Sequence, residues 1–366
     1  MTISKENLSL WSVVISFAVF LFGWITHLNG LVTAGICLVL IIGAATITNG
    51  SYVLKRLAAL IPTLVLVTLF AFFLQTQRVS PQDVAIRVLG PGATEQATTE
   101  FIAANGLDAP FFSRYLDWIS GAVVGDLGTS FVNNTSVSDQ VAAALPISLQ
   151  LMVYAQIIAL LLAVPGGVYA AYKANQRGDA VLSTSALGFL SVPNFVLALV
   201  LVFLFAAKLD LLPATRYEYF GESPWEHFQH MLLPSLALGM GLAATYLRLL
   251  RGDMVITLQE SFITTAKAKG VSPRRVLWGH ALRPSMFTLL TVFAVNAGAL
   301  IGGTLIVEII FILPGMGNLI ATAIVGFDFL ILQGAVVVLA VGFVLLNFLA
   351  DLLYAALDPR IRHVRS

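Results

Sequence analysis

Apolar residues run through this chain in long blocks, and polar residues are confined to a few windows between them. A helix crossing a bilayer needs about 20 predominantly apolar residues in a row. Eight stretches approach that requirement: Leu8–Leu28, Leu31–Ile47, Leu57–Leu74, Ile147–Ala171, Val181–Ala207, Met231–Leu250, Met286–Val307 and Gln333–Leu357. No stretch shows the ten-residue apolar and polar alternation of a membrane β-barrel strand. The pattern therefore predicts an all-α integral membrane protein. No residue between Glu6 and Lys55 is charged, which fits two helices joined by a tight turn at His27–Gly30. A cleaved signal peptide is the other reading of the first run, but no clear A-x-A site follows it.

Composition agrees. Hydrophobic residues make up 58% of the chain and charged residues 11%, against roughly 25% charged in soluble domains. A net charge of +1 supplies no bulk attraction to nucleic acid. The placement of charge says more than its total. With the N-terminus in the cytoplasm, 15 of the 20 Lys and Arg residues fall on the cytoplasmic side. These include Lys5, Lys55, Arg56, Lys173, Arg177, the cluster Arg248 to Arg283, and Arg360, Arg362 and Arg365. Arg78, Arg87, Arg114, Lys208 and Arg216 stay outside, with most of the acids. That is the positive-inside arrangement, and it predicts cytoplasmic termini. The single cysteine, Cys37, excludes an intrachain disulfide.

Four polar windows remain. Residues 75–145 carry turn signals and the aromatic residues Phe111, Phe112, Tyr115 and Trp118, enough for a small extracytoplasmic cap of short helices. Residues 208–229 are acidic and aromatic. Residues 308–332 hold the break Leu313-Pro-Gly-Met-Gly317, which predicts a short re-entrant or outward-facing helix, buried in protein or lining a cavity. The cytoplasmic window, 248–283, is the most informative. Thr257–Lys269 has good helix formers and no proline; Gly270 suits the left-handed residue that ends a helix. Ser272 and Pro273 suit the cap and first position of a second helix. Arg274 and Arg275 then lie in a first turn where the helix dipole disfavours cations. A soluble partner docked on this loop would account for that, and so would a solvated basic loop.

The residues also carry a family resemblance. Thr264-Thr265-Ala266 with Gly270 resembles the EAA loop of ATP-binding-cassette (ABC) importer permeases, with Thr where the pattern has Glu and its first Ala. Thr265-Ala-Lys-Ala-Lys-Gly270 followed by Arg275-Val-Leu-Trp-Gly-His280-Ala-Leu-Arg283 is similar to the dipeptide/oligopeptide branch. Leu54-Lys-Arg-Leu, Gly125-Asp-Leu-Gly128, Glu308-Ile-Ile-Phe311 with Pro314-Gly315, and Asp351-Leu-Leu-Tyr354 with Asp358-Pro-Arg-Ile-Arg362 follow in the matching order. The likeness covers roughly residues 52–362. It implies a six-helix type I importer core over 52–366, with a cap at 75–145 and a coupling loop at 251–283. Residues 1–51 then form an extra pair of transmembrane helices.

That resemblance implies a peptide permease of a bacterial or archaeal cytoplasmic membrane. Its partners would be a second homologous permease, two ABC ATPase subunits and an extracytoplasmic peptide-binding protein, all around a lipid bilayer and without nucleic acid. ATP and Mg would sit on the ATPases; this chain would hold no cofactor and catalyse nothing itself. Ser261, Thr264, Thr265, Ala266, Lys267, Lys269 and Gly270 would couple to an ATPase. Permeases of the wider family also carry nickel or glycosides, and a self-contained secondary transporter is a separate reading. The latter would want charged or polar groups in mid-span, and these spans have almost none.

Other residues are singled out by chemistry. Glu308, near the outer end of a span, is a pathway or gate candidate. Asn194 is expected to hydrogen-bond between helices and shares the gate candidacy. Pro165-Gly-Gly167 predicts a kink or close packing. The chain has no G-x-x-x-x-G-K-[ST], H-E-x-x-H or G-x-S-x-G sequence. His227 and His230 lack a third ligand at clear spacing and are expected to be interfacial.

Overall fold

The computed structural model describes residues 62–74, 76 and 80–357, with 349–357 as backbone only. The two N-terminal spans, Cys37, the Leu54-Lys-Arg-Leu motif, the Asp351 side chain and the C-terminal Asp358–Arg362 motif lie outside the described residues. Everything described is helix, turn or loop, apart from one isolated bridge between Thr129 and Ser136. In chain order the helices are α1 (Pro62–Leu74), α2 (Pro81–Leu89), α3 (Glu95–Ala104), α4 (Phe111–Val123), α5 (Val137–Tyr172), α6 (Arg177–Ser191) and α7 (Asn194–Leu201). Then come α8 (Pro224–Thr257), α9 (Ser261–Ala268), α10 (Pro273–Arg275), α11 (Leu282–Gly303), α12 (Leu305–Phe311), α13 (Met316–Gly326) and α14 (Phe329–Leu357). Among the described residues four helices are long and apolar enough to cross a membrane, or up to six if each bent pair is one span.

The chain divides into two compact units. Among the described residues the smaller draws on 62–148 and 314–345, so it holds α1–α4, the start of α5, α13 and the first part of α14. Its short helices begin where local chemistry says they should. Ser80 and Asp83 cap α2 reciprocally, each side chain taking a backbone N–H of the other. The expected aromatic cluster gathers on Phe72 of α1: Phe111 and Tyr115 meet it edge-on with centroids 5.3 and 5.6 Å away. The Tyr115 and Thr68 hydroxyls are 2.8 Å apart beneath it. Phe112 meets Phe111 edge-on, with centroids 5.2 Å apart, but is itself exposed. Ser148 Oγ accepts the backbone N–H of Met316 at 2.8 Å, tying α5 to the start of α13.

Among the described residues the larger unit comprises 149–313 and the end of α14 from 346. Its core is built from small residues on α5 and α8, such as Ala159, Ala163, Ala243 and Ala244, which let the helix backbones approach. The Pro165-Gly-Gly167 segment resolves to close packing inside an unbroken α5. A Cβ on Gly167 would lie 3.2 Å from the Leu247 carbonyl oxygen, and one on Gly239 would lie 2.9 Å from the Ala155 carbonyl oxygen. Tyr246 of α8, fully buried, donates to Gln156 Oε1 of α5 at 2.8 Å, and Gln156 Nε2 donates to the Phe293 carbonyl of α11 at 3.2 Å.

Two expected spans are not continuous: Met286–Val307 has a turn at Thr304 between α11 and α12, and the second break is sharper. Val181–Ala207 was predicted as a single helix, but the chain bends by 101° between α6 and α7. Pro193 cannot donate a backbone hydrogen bond and drives Val192 into the extended region, where its ψ is 122°. Beyond α7 the helix widens to a π-helical stretch, Val202–Lys208. The segment after Glu308 does break as expected. Ile312 adopts a left-handed φ of 54°, followed by Leu313 and Pro314.

Candidate functional site

The basic window 248–283 folds as two short elements between α8 and α11. The predicted helix Thr257–Lys269 is interrupted at Leu258–Glu260, and α9 begins only at Ser261. Packing explains the interruption. Ile263 is fully buried in the same cluster as Leu250 and Met254 of α8, so the chain must turn between them to bring it there. Residues three and four apart share a helix face. With Ile263 turned inward, Ser261, Thr265 and Ala268 turn outward, and all three are exposed.

Gly270 ends α9 as its type predicts, with φ of +75°. Val271 N–H donates to the Ala266 carbonyl at 3.2 Å and Gly270 N–H to the Lys267 carbonyl at 3.0 Å. Those two bonds define a Schellman stop. Val271 then packs on the buried cluster that holds Ile263 and Val276. Ser272 takes the extended backbone of a helix cap, but its side chain makes no capping bond. Pro273 opens α10 as expected, and the helix passes at once into a π-helical turn, Val276–Ala281. This turn buries Val276 and Ala281 and leaves Trp278, Gly279 and His280 exposed. The loop closes where it began: the hydroxyls of Thr257 at the end of α8 and Ser285 in α11 are 3.0 Å apart.

The predicted coupling residues divide between surface and scaffold. Ser261, Thr264, Thr265, Lys267 and Lys269 are exposed; Ala266 is half-buried, and its carbonyl belongs to the helix stop. The Thr265 hydroxyl is spent locally on the Ser261 carbonyl at 3.0 Å. Sequence reasoning passed over Phe262 and Trp278, which are 46% and 45% exposed in this loop. A helical wheel anchored on Ile263 would have shown Phe262 pointing sideways. Arg274 and Arg275 are also exposed, with no ion pair among the described residues. The loop thus presents two aromatic rings and four cations around a short, rigidly rooted helix. Exposed aromatic and arginine side chains together are the composition of a protein-binding patch.

The gate candidates sit elsewhere. Asn194 is the first residue of α7, exposed at the bend, with its Oδ1 3.1 Å from where a Cβ on Gly241 would stand. Glu308 is fully buried in α12 and accepts the Thr304 hydroxyl at 2.6 Å. His227 is buried, its Nδ1 2.7 Å from the Glu218 carbonyl and its Nε2 3.1 Å from the Tyr154 hydroxyl. Both ring nitrogens are used, so it is a packed core histidine. Tyr217 nearby donates to Gln150 Oε1 at 2.9 Å, and burial raises its pKa. No cluster of three or more His, Cys, Asp or Glu stands ready for a metal among the described residues.

Helices long and apolar enough for up to six membrane spans among the described residues, with an exposed basic loop rooted between two of them, have the architecture of a membrane permease. Residues 163–363 match the family model of the binding-protein-dependent transport system inner membrane component, and residues 50–152 match that of its N-terminal region. The chain belongs to this family. It is 34% identical over 313 residues to the glutathione transport system permease protein GsiC of Escherichia coli strain K12, spanning 86% of this chain and 99% of the relative. It is 35% identical over 317 residues to the probable peptide ABC transporter permease protein y4tP of Sinorhizobium fredii, spanning 86% of this chain and 100% of the relative. The chain is therefore the multi-pass membrane permease of an ABC importer, a class that acts with an ATPase and a substrate-binding protein.

Proposed function

We propose that this permease carries peptides and is driven through α9 by separate ATPase subunits. The observation that carries the coupling assignment is the rooting of α9. One side chain, Ile263, is fully buried, while Phe262, Thr264, Thr265, Lys267 and Lys269 are left for a partner. Ala266 and Gly270 act by fixing the shape of the helix end. In this reading ATP and Mg bind the ATPases, and closure of an ATPase pair displaces α9 and the helices it is rooted in. The switch is a rigid-body one, driven by contacts that differ between two states.

The peptide assignment rests on relatives named for glutathione and for peptide. The complete assembly is proposed to hold a second homologous permease, two ATPases and an extracytoplasmic peptide-binding protein. The basic bias of the sequence supports cytoplasmic termini and puts α9 on the ATPase side. Residues 1–51 are proposed as an added transmembrane hairpin, 75–145 as the cap that meets the binding protein, and 251–283 as the coupling loop. Asn194 and Glu308 are the proposed gate positions. Glu308 reaches a passing solute only in a conformation that releases Thr304.

The deciding experiment purifies the tagged chain from its native membrane in mild detergent and identifies its companions by mass spectrometry. Two P-loop ATPases and a second permease are expected. A lone chain or homo-oligomer in every detergent would overturn the assignment in favour of a secondary transporter. Peptide uptake by cells carrying and lacking the gene then tests the cargo.

A further inference from the structure

The smaller unit encloses a cavity of about 260 Å3 whose wall carries both signs of charge: the guanidinium groups of Arg87 and Arg114 and the carboxyl groups of Asp117 and Asp328. Arg87 lies over the Phe327 ring, 3.3 Å from its centroid, but other polar groups of the wall have little to do among the described residues. Gln333 is 3% exposed, and neither its Oε1 nor its Nε2 has a hydrogen-bond partner among the described residues. The indole N–H of Trp118 is likewise buried without an acceptor among the described residues. Arg114 is half-buried, which works against its charge, yet it donates only to the Leu107 carbonyl at 3.3 Å and has no carboxylate partner among the described residues. Asp328 is also partnered. It accepts the Ser130 hydroxyl, and it caps α14 through the Ile331 N–H.

Buried polar groups nearly always have partners, and each orphan calls for an explanation. Here a donor–acceptor amide, an indole donor and a poorly paired guanidinium converge on one space. The two arginines and two aspartates balance, so the wall favours a ligand that is neutral overall but carries both charges. Phenylalanine rings, among them Phe72 and Phe131, complete the lining and suit an apolar substituent. The volume falls below the ~300–1,000 Å3 of sites for drug-sized molecules. We propose that this cavity binds a small zwitterion of α-amino-acid size. Its carboxylate meets Arg114, Trp118 Nε1 and Gln333 Nε2, and its ammonium meets Gln333 Oε1 and Asp117. This site lies apart from the coupling loop and does not depend on what cargo the permease carries.

The probe is radiolabelled L-phenylalanine, added to the full permease complex in lipid nanodiscs without the binding protein. Saturable binding is expected, weakened at least tenfold by Arg114→Gln and by Gln333→Leu. Phenylacetate and phenethylamine, which keep one charge each, should compete at least tenfold more weakly than unlabelled L-phenylalanine. No saturable binding would overturn the proposal, as would binding that survives both substitutions. Equal competition by either analogue would overturn it too, and that arm needs only the unmodified complex.

Discussion

Asp179 of α6 and Arg251 of α8 meet at two points: Arg251 Nη2 donates to Asp179 Oδ2 at 2.6 Å, and Nε donates to Oδ1 at 2.5 Å. The Asp179 side chain is 4% exposed and that of Arg251 29%. The Asn175 N–H and the Ser183 hydroxyl supply two further bonds to the carboxylate. A two-point guanidinium–carboxylate contact fixes geometry as well as charge. Here it locks the N-terminal end of α6 to the part of α8 that leads into the loop before α11.

Arg251→Met should leave the Asp179 carboxylate buried and short of its cation. Losing one partner of a fully buried pair costs ~3–5 kcal/mol; the partial exposure of Arg251 lowers that to about 2 kcal/mol. Thermal unfolding of the detergent-purified complex should show the drop, and pairing the change with Asp179→Leu should recover part of it. An unchanged melting temperature in Arg251→Met would mean the pair holds nothing.

Gly270 should tolerate alanine better than proline. No atom lies within 4 Å of an added Cβ, so alanine meets only the strain of a positive φ, about 1–2 kcal/mol. Proline cannot reach φ of +75° and also deletes the N–H that bonds to Lys267. Peptide uptake should fall modestly in Gly270→Ala and vanish in Gly270→Pro, with both chains present in the membrane on immunoblots.

Gly239→Ala should destabilise more than Gly166→Ala, although the shorter contact is at Gly166. There a new Cβ would meet the tip of Leu247 at 2.7 Å, and a leucine tip can rotate away. At Gly239 the obstacle is the Ala155 carbonyl oxygen at 2.9 Å, which moves only with its helix. Overpacking of that kind costs ~1–3 kcal/mol. Parallel melting curves of the two variants rank them, and the reverse order would refute the argument.

Phe262→Ala and Ile263→Ala should fail in different ways. Phe262 is largely exposed, so its loss should leave the permease folded but reduce recovery of the ATPases in pull-downs. Ile263 is fully buried, and truncating it should cost ~2–4 kcal/mol and unroot α9 as well. Normal ATPase recovery from Phe262→Ala would remove that ring from the docking surface.

Much of this was legible in the sequence because bilayers impose long apolar runs and glycine announces a left-handed stop. Gly270, Pro273 and the break after Glu308 all stand where their residue types require. The bend at Val192–Pro193 was hidden by the apolar residues on both sides, which keep hydropathy high through a proline that interrupts the helix. The interruption at Leu258–Glu260 was hidden for another reason: its residues are good helix formers, and only the burial of Ile263 forces the turn. The Asp179–Arg251 pair joins positions far apart in the chain, a pairing that no local pattern reveals. The polar cavity of the smaller unit was invisible likewise, since Arg114 and Gln333 come together only in the fold.

The glycine contacts between α5 and α8 bear on how far a push can travel. Springiness in a helix pair comes from side chains that can change rotamer under load. Where Gly167 faces the Leu247 carbonyl and Gly239 faces that of Ala155, backbone meets backbone and little can yield. The pair therefore behaves as a stiff strut, and a displacement delivered at the foot of α8 is felt along its length with little lost on the way.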